Sequence, residues 1–219
     1  MSSTGKSSAK GRPAGRPVGS TAEATRVEIL DAALEAFSEA GFEAMSVREL
    51  TRRLGVSHNL VHHHFGSKED LWRAALDHGA GPTANELLEL LGQSVGSPDS
   101  KRILRTGMES GIELLRRRPA VARIVVDESA RPGPRLDYLY ERYLGPMVET
   151  LSRFLANSQL EGFRDVEPRV ATLYVLSSVS APFAHAALAE KLGLGRRSHD
   201  VYTEGLVDLV LDGLMPSGK

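Results

Sequence analysis

Apolar residues recur with helical spacing from the first acidic position onward. Val27, Leu30, Leu34 and Phe37 fall at i, i+3, i+7 and i+10, with Glu28, Asp31, Glu35 and Glu39 between them. That spacing gathers the apolar set on one face and predicts an amphipathic helix, which Gly41 ends because it tolerates left-handed backbone. Ser46 with Glu49 three residues later has the pattern of a capping box, opening a short helix with Val47, Leu50 and Leu54 turned inward. Gly55 closes it, and Ser57 is placed to cap a further two-turn helix running to about Phe65. Ser67 and Asp70 repeat the capping logic for a helix carrying Leu71, Trp72 and Leu76.

Pro and Gly then divide the remainder into further helical stretches, at about 83–91, 100–117, 119–129, 136–157, 168–192 and 200–214. Pro182 lacks an N–H and crowds the preceding turn, so it predicts a kink or break in the fifth of these. No stretch alternates with a period of two and no repeat is visible. The expected fold class is all-α.

Composition narrows the function. The chain has 219 residues, 41% hydrophobic and 25% charged, enough for a sizeable core. It has no Cys, which removes disulfides, thiolate zinc sites and Cys nucleophiles, and fits a reducing, cytoplasmic setting. No apolar run is long enough to span a bilayer, so no membrane partner is expected. Basic residues at the start are followed by Pro and Gly, not by the apolar core of a signal peptide. Phosphate-cradling Gly loops and a completed metal-ligand set are missing, so neither an enzyme nor a bound cofactor is expected.

The net charge of −1 conceals an uneven distribution. Residues 1–22 are rich in Ser, Gly, Pro and Ala, and their only charges are Lys6, Lys10, Arg12 and Arg16. Such a segment buries too little apolar surface to offset ordering entropy, and it reads as a disordered basic arm suited to a DNA groove or, more plainly, as a solubilising tail.

Residues 46–70, SVRELTRRLGVSHNLVHHHFGSKED, place two short helices around a Gly turn, as a helix-turn-helix requires. The second would present Ser57, His58, Asn59, Leu60, His62, His63 and His64 to the major groove, with Arg48, Arg52 and Lys68 flanking it near phosphate. His58 and His62 also have metal-compatible spacing, but Asn59 stands where a zinc-protease motif has Glu. Packing remains an alternative for any one of these histidines. Phosphate proximity favours imidazolium, so DNA affinity should rise as pH falls from 8 to 6 at constant ionic strength.

The run ILDAALEAFSEAGFEAMSVRELTRRLGVS…HHFGSKEDLW resembles the DNA-binding domain of the tetracycline-repressor (TetR) family over about residues 26–76. The resemblance implies backbone contacts from Ser46, Val47 and Thr51, base-edge contacts from His58 and Asn59, and a phosphate contact from Lys68. His62, His63 and His64 fall at the family's Tyr-aromatic-His run, and Phe65 at a buried aromatic. Two positions depart from the pattern. Leu60 replaces a usual Thr and offers an apolar surface to a thymine methyl, while His62 replaces a usual Tyr. Arg12-Pro13 and Arg16-Pro17 resemble the minor-groove core of AT-hooks, so deleting residues 1–20 should weaken binding and reduce its salt dependence.

The family pattern implies an N-terminal three-helix helix-turn-helix domain followed by a C-terminal helical domain for ligand binding and dimerisation. The expected division is an arm at 1–22, the DNA-binding domain at 23–67, a connecting helix at 68–78 and an effector domain at 79–219. Residues 160–168, LEGFRDVEP, resemble the connector before the family's dimerising helices, and the last two helices are expected to pair across a homodimer. Trp72, Met108, Arg123, Tyr138, Met147, Tyr174 and His185 are candidate contacts for an unknown small-molecule effector. The expected function is a ligand-responsive transcriptional repressor acting on double-stranded, palindromic operator DNA. The other reading is a helical adaptor working through protein partners.

Overall fold

The computed structural model describes residues 20–157, 163–193 and 199–215, and all regular structure in them is helical. Among these described residues eleven α-helices follow one another: α1 (Ser20–Ala44), α2 (Val47–Leu54), α3 (His58–Phe65), α4 (Lys68–Gln93), α5 (Ser100–Arg117), α6 (Pro119–Ser129), α7 (Pro134–Leu139), α8 (Gly145–Asn157), α9 (Pro168–Ala184), α10 (Ala186–Lys191) and α11 (His199–Leu214). Between α7 and α8 the chain widens into a π-helical stretch, Tyr140–Leu144.

The first helix starts at Ser20, so the last three residues of the expected arm are helical. The rest of the arm, with Arg12 and Arg16, lies outside the described residues. At Gly41 the backbone leaves helical geometry, at φ 73° and ψ 165°, where the apolar repeat runs out. Ile29, Leu30, Ala33, Leu34 and Phe37 are buried, and α1 packs most extensively on α4 and α6.

Beyond α3 the structure corrects several expected boundaries. Residues 68–78 are not a separate connector: α4 continues through Gly79, Gly81 and Pro82 to Gln93, absorbing the stretch expected at 83–91. A proline inside a helix loses one backbone bond, yet packing against α5 and α8 holds the helix together. The stretch expected at 136–157 begins at Pro134, whose fixed φ suits a first helical turn, and contains the π turn. The stretch expected at 168–192 is two helices. Pro182 sits inside α9, and the break falls three residues later at His185, φ −105° and ψ 39°.

One close approach ties the two halves together. A Cβ built on Gly79 of α4 would lie 2.7 Å from Leu34 Cδ2 and 3.3 Å from Val121 Cγ2, so α1, α4 and α6 meet closely there and a methyl group would require the Leu34 side chain to shift. Ion pairing reinforces the same joint. Arg118 Nη1, just before α6, donates to Asp31 Oδ1 of α1 over 2.7 Å, and His78 Nε2 of α4 lies 3.0 Å from the same oxygen. Burial raises the Asp31 carboxyl, but Arg118 and His78 together outweigh it and hold the group below its usual range.

Candidate nucleic-acid interface

Three serine caps set the angles of the reading head. Ser46 Oγ accepts from Glu49 N at 3.4 Å, Ser57 Oγ from Leu60 N at 3.1 Å and Ser67 Oγ from Asp70 N at 3.0 Å. The last is a full capping box, since Asp70 Oδ2 accepts from Ser67 N at 3.2 Å, and the Ser67 hydroxyl and N–H hold the Asp70 carboxyl below its usual range. The box expected at Ser46 is only half made, because Glu49 turns instead to Arg52 at 2.5 Å and Arg53 at 3.6 Å. Gly55, at φ 66°, ends α2 in the left-handed region and donates its N–H back to Thr51 and Arg52 carbonyls.

Val61 and Phe65 pin α3 to the core, leaving the opposite face outward. Ser57, His58, Asn59, His62, His63 and His64 are exposed, and Leu60 is half-buried against the core with part of its side chain outward. Ser46 is exposed and Val47 half-buried at the start of α2. Arg48 is exposed beside them and makes no ion pair among the described residues. A short α-helix of this kind, with polar side chains outward and an exposed N-terminus, has the form of a major-groove reader.

Three of the expected contact residues have partners within the protein. Thr51 is buried and its hydroxyl donates to Arg48 O at 2.9 Å. Lys68 Nζ donates to Glu43 O at 3.2 Å and lies 4.7 Å from the Phe42 ring centroid, so its ammonium closes the end of α1. His62 Nδ1 lies 2.5 Å from Gly66 O. A carbonyl can only accept, so this ring nitrogen carries the proton and Nε2 is left to point outward.

The helices from α4 onward line a partly open cavity of about 600 Å³. Its walls come from α4 through Leu76, Ala80 and Leu87, from α5 through Met108 and Gly111, and from α6, α8, α9 and the π turn. Of the seven expected effector contacts, Met108 and Met147 line it and the other five do not. Trp72 is buried in the core with its ring edge-on to Tyr138, centroids 5.9 Å apart. Tyr138 donates to Asp77 Oδ1 at 2.7 Å, Arg123 is half-buried elsewhere, and Tyr174 and His185 are exposed. Long polar and aromatic side chains advertise their chemistry in a sequence, whereas the cavity is formed by small and aliphatic residues that no motif singles out.

Sequence reasoning also missed the Asp77 cluster. Tyr143 of the π turn donates to the same Asp77 oxygen at 2.5 Å. Burial above all, then the bond to Asp77, pushes the Tyr138 hydroxyl up to about 12 and raises Tyr143 as well. Arg135 of α7 lies over the Phe42 ring at 4.0 Å and near Glu43 at 3.6 Å, joining the cavity's side of the molecule to the end of α1. Only the tyrosine-rich run at 138–143 hinted at this in sequence.

Residues 29–75 match the family model of bacterial regulatory proteins, tetR family. The HTH-type transcriptional repressor Rv3405c of Mycobacterium tuberculosis is 45% identical over 56 residues, 26% of this chain and 30% of its own length. The repressor AcnR of Corynebacterium diphtheriae is 34% identical over 89 residues, 38% of this chain and 47% of its own. These matches therefore span less than half of either relative. Likeness in fold extends further. The TetR family regulator PfmR of Thermus thermophilus superposes with a TM-score of 0.63 at 26% identity, over 88% of this chain and 98% of its own. The ketosteroid transcriptional regulator KstR2 of Mycobacterium tuberculosis gives 0.67 at 20% identity, over 94% of this chain and 100% of its own, a likeness of fold alone. The reading head therefore carries the DNA-binding domain of the tetR family of bacterial regulatory proteins over residues 29–75, and the helices beyond it share the fold of solved regulators such as PfmR.

Proposed function

We propose that the protein is a sequence-specific DNA-binding regulator of transcription, a ligand-responsive repressor that acts as a homodimer on a palindromic operator. The observation that carries this reading is the exposed polar face of α3, held by Ser-capped joints beside the exposed Arg48. Asn59, His58 and His63 would meet base edges, while Arg48 and the α2 and α3 N-termini would meet phosphate. Arg12 and Arg16 would extend the contact into the minor groove.

Dimerisation is supported by apolar residues left exposed on the last long helices. Val170, Leu173 and Tyr174 share one face of α9, and Leu209 of α11 is 67% exposed. A second copy would cover them in an isologous interface. Ligand response is supported by α4, which is capped immediately after α3 and then forms a wall of the cavity. A ligand preferring one position of α4 would shift the spacing of the two α3 helices and so the affinity for DNA.

Selection of bound fragments from genomic DNA, followed by fluorescence anisotropy on the enriched site, tests the reading. Enrichment of a two-fold symmetric site, bound by a dimer and lost on His63→Ala, is expected. An adaptor working through protein partners would enrich no sequence.

A further inference from the structure

The walls of the cavity specify a ligand class. Among the described residues, none that lines it is Asp, Glu, Lys, Arg, His, Asn or Gln. The polar side chains on these walls are three serines and two tyrosines, and two of them are already engaged. Tyr143 donates its hydroxyl proton to Asp77, and Ser180 donates to Ser177 O of its own helix. A buried ionised group here would find no counter-charge and at most a few neutral hydroxyls, and each unmet polar group opposes entry.

Shape points the same way. Gly107 and Gly111 lie one turn apart on the cavity face of α5, and Ala80 and Ala84 do the same on α4. These small residues leave room between the two helices, in a space that Leu91, Leu104 and Leu115 also line. Met108 and Met147 add flexible, polarisable walls that adapt to an elongated hydrocarbon.

We propose that the cavity binds an uncharged, predominantly hydrocarbon molecule carrying at most one or two hydrogen-bonding groups, and that it rejects the ionised counterpart of the same skeleton. The proposal rests on the ligand-responsive reading above and deepens it. Selectivity arises from desolvation: the hydrocarbon gains equally from burial in either form, and the charge alone decides between them.

The test uses the full-length chain and the neutral fluorophore N-phenyl-1-naphthylamine, whose emission rises on entering an apolar site. Dodecan-1-ol, dodecanoate and dodecylammonium compete at pH 8, the alcohol below its solubility limit and the two ions below their micellar concentrations. Displacement by the alcohol at a concentration at least tenfold lower than by either ion is expected. A second arm uses Gly107→Leu. A Cβ at Gly107 meets nothing closer than Leu91 Cδ2 at 3.8 Å, so the added side chain extends into the cavity without disturbing the helix backbone. This variant should keep its helicity and lose probe binding at least tenfold. Equal or tighter displacement by an ion, absence of probe binding to the wild type, or unchanged binding to folded Gly107→Leu would each overturn the proposal. Anisotropy on the selected DNA site, run in parallel, reports separately on the regulator reading: failure there leaves the ligand class standing, because the competition involves no DNA.

Discussion

At the scale of single residues, exposure separates side chains that hold the reading head from those that can read. Asn59 is exposed on α3 and its amide can meet adenine through two hydrogen bonds, whereas Thr51 is buried and already bonded. Asn59→Ala should therefore cost about 1–3 kcal/mol of affinity for the selected site, roughly 5- to 150-fold, by fluorescence anisotropy. Thr51→Val should leave that affinity within about twofold, because the hydroxyl it loses faces the protein, as buried polar groups that are satisfied internally do. Reversal of this order would place Thr51 at the interface.

At the scale of elements, boundaries marked by local chemistry were legible in sequence and those decided by packing were not. Ser57 and Ser67 start helices where their cap patterns stand, and Gly55 ends one, because each signal acts within four residues. Pro82 and the glycines around it suggested an interruption, but α4 runs through them since its neighbours supply the stability that propensity withholds. Two glycine substitutions separate these effects. Gly107→Ala meets only an ordinary contact and should stabilise by about 1 kcal/mol through helix propensity. Gly79→Ala gains the same propensity but drives a Cβ to 2.7 Å from Leu34, and overpacking of about 1–3 kcal/mol should make it net destabilising. Urea midpoints moving in opposite directions are expected, and a common shift would contradict the close approach at Gly79.

The Asp77 cluster belongs to the same scale, because it fastens α7 and the π turn to α4. Its tyrosines have folded-state ionisation raised, with Tyr138 at about 12. A group raised on folding contributes stability that is complete below its unfolded value near 10 and fades as pH climbs through its folded one. The melting temperature of the wild type should therefore fall from pH 10 to 12 more steeply than that of the double variant Tyr138→Phe, Tyr143→Phe. Parallel slopes would show that the two hydroxyls ionise without loss of the fold.

At the scale of the whole molecule, the ties that unite reading head and cavity join residues far apart in sequence: Asp31 with Arg118, Phe42 with Arg135, and Asp77 with Tyr143. Short-range patterns carry no trace of such pairs, which is why the helix-turn-helix could be read from residues 46–70 while the cavity walls could not. The cavity depends on where residues are small, and smallness at Gly107 or Ala84 resembles smallness anywhere until helices are packed around it.

Regulation of transcription through α3 is tested most directly by selecting bound sequences from a randomised duplex pool with the full-length chain, beside His63→Ala and Asn59→Ala controls. A symmetric site with half-sites centred about one helical turn apart, roughly 34–36 Å, is expected from the wild type and should weaken or vanish with the controls. Recovery of no preferred sequence, or of the same sequence with undiminished affinity from both controls, would contradict it.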